Sequence, residues 1–269
     1  MQTIRIAAVI FHSPRNQTLA NLERMDDWVA AARREGADIV CFPEMNITGY
    51  GVDAGIRGSA ETLPGEIGAR LDAMARRHRA VILAGLVENG PDGRVFASHA
   101  VAGPEGWLGA YRKLHLAPPE RNAFASGQDV SVFDAAGIRF GIQLCYDAHF
   151  PDLSTRMALD GVHAIFMPHA SPRGTPEEKR DSWLRHLPAR AFDNGVYVVA
   201  CNQTGSNGAG LAFPGVALAL GPDGRVIASD TGGREGLLLA TLDADRLTAV
   251  RRHPMRYFLP HRRPELYRL

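Results

Sequence analysis

Apolar residues along the chain fall into two rhythms. Short buried or alternating runs at Ile4 to Ile10, Ile39 to Phe42, Val81 to Leu86, Phe140 to Leu144, Ala164 to Met167 and Val196 to Cys201 predict β-strands. Between several of them apolar side chains recur at threes and fours, at Leu19, Leu22, Met25, Trp28, Val29 and Ala32 and again at Ile67, Leu71, Met74 and Ala75, which predicts amphipathic helices. Alternating strand and helix places the chain in the α/β class. Two Gly-Pro-Asp-Gly turns, at 90–93 and 221–224, predict hairpins joining 81–87 to 95–101 and 216–220 to 226–229. A further helix starts at Thr175-Pro-Glu-Glu178, with a capping threonine, proline at the first helical position and carboxylates in the first turn. Pro188 then predicts a kink or two abutting helices over Asp181 to Asn194, closed by Gly195.

No Pro/Ser/Gly-rich linker, repeat or low-complexity tract divides the 269 residues. Residues 1–252 are therefore expected to form one domain. Residues 253–269 carry Pro254, Pro260 and Pro264 among aromatic and basic side chains, and are expected to form an extended arm on a partner subunit.

Composition narrows the function classes. Thirty basic residues against 29 acidic ones leave a formal charge of +1, which offers no electrostatic footprint for nucleic acid or an anionic membrane. No stretch reaches the roughly eighteen apolar residues of a spanning helix, and the first ten residues read as a strand rather than a secretory signal. Three cysteines without Cys-x-x-Cys spacing fit a reducing compartment, so a cytoplasmic protein is expected. The scattered histidines have no metal-ligand spacing.

Three strand ends finish on reactive side chains. Cys145 follows the run Ile138-Arg-Phe-Gly-Ile-Gln-Leu144 and precedes a polar turn, so a rigid strand would hold its sulfur at a cleft. Ala37-Asp-Ile-Val-Cys-Phe-Pro43 ends a second strand and delivers Glu44 to its carboxyl edge. In the extended segment Tyr111-Arg-Lys-Leu-His-Leu116, Arg112 and Lys113 point to opposite faces, so one cation must face inward. A thiol, a carboxylate base and an ammonium form a complete set for acyl transfer. Cys41 and Cys201 sit inside strand patterns and read as core.

Phe42-Pro-Glu44 with Gly49-Tyr50, Tyr111-Arg-Lys-Leu-His-Leu116, and Leu144-Cys-Tyr-Asp147 with Phe150-Pro-Asp152 resemble the three motif blocks of the nitrilase superfamily of carbon–nitrogen hydrolases. Supporting blocks follow in order: Glu120 and Gly127, Arg190-Ala-Phe-Asp-Asn194, and Tyr197-Val-Val-Ala-Cys-Asn-Gln203. The resemblance implies a four-layer α-β-β-α sandwich of two similar halves, assembled as a homodimer or higher homo-oligomer. It implies Glu44 as general base, Lys113 as oxyanion-stabilising cation, Cys145 as nucleophile and Glu120 as an accessory carboxylate, with the backbone N–H of Tyr146 as a second oxyanion donor. It implies no metal or organic cofactor. Candidates for substrate contact are Tyr50, His149, His169 and Arg173; His149 stands where many members carry arginine, and Arg173 is placed either to grip a substrate carboxylate or to sit solvated on its loop.

The Cys-Tyr-Asp block is closer to amidases and carbamoylases than to the Cys-Trp-Glu of nitrilases. The expected activity is hydrolysis of a small linear amide or N-carbamoyl amine through a thioester, releasing ammonia. Alternatives are a nitrilase, a Cys–His hydrolase using His149 or His169, and a catalytically silent binding protein on the same fold.

Overall fold

Runs of branched and aromatic residues form the strands. In chain order these are β1 (Ile4–His12), β2 (Ile39–Cys41), β3 (Val81–Asn89), β4 (Val95–Gly103), β5 (Gly106–Arg112), β6 (Val132–Ala135), β7 (Ile138–Ile142), β8 (Ala164–His169), β9 (Tyr197–Ser206), β10 (Ala212–Pro214), β11 (Ala217–Leu220), β12 (Val226–Asp230) and β13 (Gly236–Leu242). The helices are α1 (Thr18–Arg34), α2 (Gly65–His78), α3 (Pro151–Leu159), α4 (Pro176–Leu184), α5 (Leu187–Asn194) and α6 (Ala244–Arg252). This computed structural model describes residues 1–266. The Thr175 hydroxyl accepts from Glu178 N at 3.2 Å while Glu178 returns a carboxylate to Thr175 N at 2.9 Å, closing the start of α4 as the sequence predicts. The break at Pro188 produces two helices, and Gly195, at φ 57°, ends the second in the left-handed conformation.

The strands repeat one topology twice. β1, β2 and β3 are parallel neighbours, β4 and β5 follow antiparallel, and β13 lies antiparallel on the free edge of β1. In the second half β7, β8 and β9 are parallel, β11 and β12 follow antiparallel, and β6 lies antiparallel on β7. A short parallel contact between β1 and β9, Phe11 with Gln203 and His12 with Thr204, joins the sheets at their carboxyl ends.

Side-chain alternation builds the layers. Ile6, Ala8, Ile10, Ile39, Cys41 and Leu83 share a core with Phe140, Ile142 and Met167 of the second sheet. The opposite parity, Ala7, Val9, Val40, Phe42, Ile82 and Ala84, packs against Leu22, Met25 and Val29 of α1 and Ile67, Leu71 and Met74 of α2. Leu153 and Met157 of α3 with Leu187 and Ala191 of α5 cover the second sheet. Each fully buried Ile, Leu or Phe contributes about 1.5–3 kcal/mol relative to exposure, and the result is the expected α-β-β-α sandwich.

The extended segment 111–116 departs from expectation. The strand ends at Arg112, because the Lys113 N–H bonds to Ala97 O while the chain turns away toward a short 3-10 turn at Pro118–Glu120. Past α6, Leu259 is 7% exposed and the Phe258 ring lies 5.5 Å from that of Phe192. This part of the tail folds back on its own chain. Residues 267–269 of the expected arm lie outside the described residues.

Candidate active site

Both sheets direct the carboxyl ends of their parallel strands to one place. Glu44 follows β2, Lys113 follows β5, Cys145 follows β7 and Ala170 follows β8. The Glu44 segment is tied to β3: Ile47 N donates to Gly85 O at 2.9 Å, and Gly85 N donates to Asn46 Oδ1 at 2.8 Å. The approach requires a glycine, because a Cβ at position 85 would lie 2.3 Å from Met45 N and 3.0 Å from the Glu44 carbonyl carbon. Gly85→Ala is expected to cost about 1–3 kcal/mol and to lower activity by moving the Glu44 peptide. Chemical denaturation alongside turnover checks it, and an unchanged midpoint would show that the loop yields freely.

Lys113 is fully buried between two carboxylates. Its Nζ lies 2.7 Å from Glu44 Oε1 and 2.7 Å from Glu120 Oε1. The remaining oxygens are also occupied: Glu44 Oε2 accepts from Ala170 N at 3.0 Å, and Glu120 Oε2 accepts from Ala117 N at 2.8 Å. Gln203 Nε2 donates to the Glu44 carbonyl at 2.7 Å, so β9 of the second half grips the residue from the first. Burial alone would strip the ammonium of its proton, but Glu44 and Glu120 outweigh it and hold Lys113 above the usual lysine range. One cation cannot balance two buried anions. Burial, with the Glu120 charge, pushes the Glu44 carboxyl up to about 7, against the pull of Lys113.

Cys145 has φ 45°, a left-handed conformation that costs a non-glycine residue energy and turns the chain sharply off β7 into the 3-10 turn Cys145–His149. The residue keeps partial exposure. Burial and the Glu44 charge raise its thiol well above the ordinary range, while Lys113 and the Ala170 amide favour the thiolate. The thiol is therefore protonated at rest and needs a base.

Two residues without an assigned role in the sequence reading hold this turn. Asp147, fully buried, accepts from Leu144 N at 3.0 Å and Tyr111 OH at 2.8 Å on one oxygen. Its other oxygen accepts from His115 N at 2.8 Å and contacts His115 Nδ1 at 2.9 Å. It thereby clamps the lysine segment to the cysteine turn. Arg190 donates to the carbonyls of Ala148 at 2.9 Å and His149 at 3.1 Å from behind. Asp147 stands inside a quoted motif, yet in sequence it reads as a turn residue; its buried partners come from 32 and 36 positions away.

The substrate-contact candidates separate. The Tyr50 hydroxyl donates to Glu120 Oε1 at 3.0 Å, which commits it to the lysine network. His169 is buried, its Nδ1 2.6 Å from the Met167 carbonyl and its ring 4.4 Å from Trp183; burial drives its pKa down to about 3. His149 is exposed, stacks 4.4 Å from His186 and lies 5.5 Å from Tyr146; burial of its inner part and the Arg190 charge depress its pKa. Arg173 sits on an exposed loop, its side chain in no hydrogen bond or ion pair with the described residues. No group of three or more His, Cys, Asp or Glu among the described residues is placed to hold a metal ion.

Comparison with known proteins agrees with this geometry. The family model for carbon-nitrogen hydrolases matches residues 5–252. An (R)-stereoselective amidase from a Pseudomonas species is 32% identical over 236 residues, covering 87% of this chain and 83% of that protein. A nitrilase from Pyrococcus abyssi is 30% identical, with 92% of each chain covered. The crystal structure of an amidase from Nesterenkonia sp. superposes with a TM-score of 0.83 at 28% identity, covering 98% of this chain and 95% of that one. A further structure of that amidase shows acrylamide added to its active site cysteine. A match over nearly the whole chain, carried by an α-β-β-α sandwich, makes this protein a member of the carbon–nitrogen hydrolase family.

Proposed function

We propose that the chain hydrolyses small linear amides or N-carbamoyl amines through a thioester on Cys145, releasing ammonia. The observation that carries the reading is the ammonium of Lys113 held between two buried carboxylates, beside a thiol on a strained turn. Glu44 takes the thiol proton, and the sulfur attacks the amide carbon. The carbonyl electrons move to oxygen, which Lys113 and the Tyr146 N–H receive; that N–H lies in the first turn of a helical segment, where backbone donors have no helical partner. Glu44 returns the proton to nitrogen, the C–N bond breaks and ammonia leaves. Glu44 then deprotonates water, which cleaves the thioester and restores the thiol. Every group in the scheme is a residue of the chain, the substrate or water. A Cys–His pair is less well supported, because His169, held near 3, is too weak a base to take a proton from a raised thiol.

Ammonia release over a panel of amides, carbamoyl compounds and nitriles, with intact-mass detection of acyl-Cys145, tests the proposal. Amides that release ammonia and leave a Cys145 acyl adduct support it; no adduct and no ammonia from any member overturns it. The pH dependence tests the base separately. Glu44 must be ionised to accept the proton and its carboxyl is pushed up to about 7, so kcat/KM for a neutral amide rises with pH to a plateau with its midpoint near 7. Below that midpoint the rate falls about tenfold per pH unit. A midpoint near 4.5, the ordinary carboxyl value, would remove Glu44 from the role.

A further inference from the structure

A second cation faces this site and is not neutralised. Lys179 and Trp183 lie four residues apart on α4 and so share one face. That face covers the segment leaving β8. Trp183 packs on His169, and Lys179 Nζ donates to Ser171 Oγ at 2.7 Å and to the Pro172 carbonyl at 3.1 Å. Between those contacts lies Ala170, whose N–H holds Glu44. The two oxygens that Lys179 meets are neutral, and no carboxylate among the described residues pairs with it. An ammonium has three N–H donors, so one remains uncommitted. Burial lowers its pKa below the usual lysine range, while a charge on Cys145 opposes the shift, so the two groups lie within electrostatic reach.

The loop does not depend on this lysine. Asn202 grips Ser171 at both backbone groups, accepting from its N–H at 2.9 Å and donating to its carbonyl at 3.0 Å. The partly desolvated ammonium is thus held in place by a segment that is already fixed. We propose that Lys179 binds a carboxylate on the substrate, so that the preferred amides are half-amides of short dicarboxylic acids. The inference rests on the amidase reading of the same site and names its substrate class. Arg173, the sequence candidate for that contact, is exposed and lacks the burial that would make an ion pair selective.

The test compares ammonia release from succinamate and glutaramate with release from their uncharged methyl esters. The native enzyme is expected to favour the acids at least about tenfold in kcat/KM. Lys179→Met should lose about 10- to 100-fold on the acids and stay within about threefold on the esters. Lys179→Arg should recover part of the preference. Equal losses on acids and esters, or no native preference for the acids, overturn the proposal. If neither class is cleaved, the amidase reading falls and binding decides this one: calorimetry of the half-amides on Cys145→Ala, with and without Lys179→Met, supports the site only if affinity depends on Lys179. Thermal melting of each variant, with Lys179→Gln as a second neutral replacement, separates lost binding from lost folding.

Discussion

Lys113→Met is expected to lower folding stability by about 3–5 kcal/mol and turnover by three orders of magnitude or more. Methionine fills nearly the same space, so the effect isolates the charge. Without the ammonium, Glu44 and Glu120 face each other in a fully buried site with no counterion. Removing one member of a buried ion cluster exposes the desolvation that the remaining charges had offset. The variant relieves this by taking up a proton, so its deficit shrinks as pH falls: denaturation at pH 5 should show a smaller gap from the native protein than at pH 8. Turnover suffers separately, since loss of one oxyanion donor costs about 100- to 1000-fold and the thiolate loses its nearest cation as well. A variant that is equally stable at both pH values would show that the two carboxylates do not depend on Lys113.

Asp147→Ala is the second large effect, expected near 3–4 kcal/mol of stability with a fall in turnover of about 100-fold. The substitution strands the Leu144 and His115 backbone N–H groups and the Tyr111 hydroxyl, all of which end on this carboxylate. The cysteine turn and the lysine segment then lose the residue that fixes their spacing. Asp147→Asn keeps the volume, but its NH2 group faces donors on one side or the other, so an intermediate result is expected. Urea denaturation combined with the rate of Cys145 alkylation measures both consequences. Normal alkylation in a destabilised Asp147→Ala protein would separate the clamp from the reactivity of the thiol.

The parts of this structure that were legible in sequence are those set by local chemistry. Pro43 ends a buried run and leaves Glu44 at its edge, and the capping box at Thr175 places α4 without any knowledge of its neighbours. Opposed faces at Arg112 and Lys113 hold as well: Arg112 pairs with Glu88, and Lys113 turns inward. What sequence does not show is fixed by partners far along the chain. β13 pairs with β1 across more than two hundred residues, and its mixed burial leaves no clear alternation to read. Only Trp183 is buried on α4, so no apolar stripe marks which face meets the site. Lys179 is therefore an ordinary helix lysine until the fold places it.

The twofold repeat of the sheets has a consequence for how reactivity arises. Glu44 and Lys113 belong to the first repeat, Cys145 and the Ala170 amide to the second, and the joint between them is the short pairing of β1 with β9 together with the Gln203 contact. Each repeat by itself is chemically mute: one holds a base and a cation with nothing to activate, the other a thiol whose own surroundings keep it protonated. A nascent or half-assembled chain thus carries no activated sulfur, and reactivity is switched on only when the seam closes.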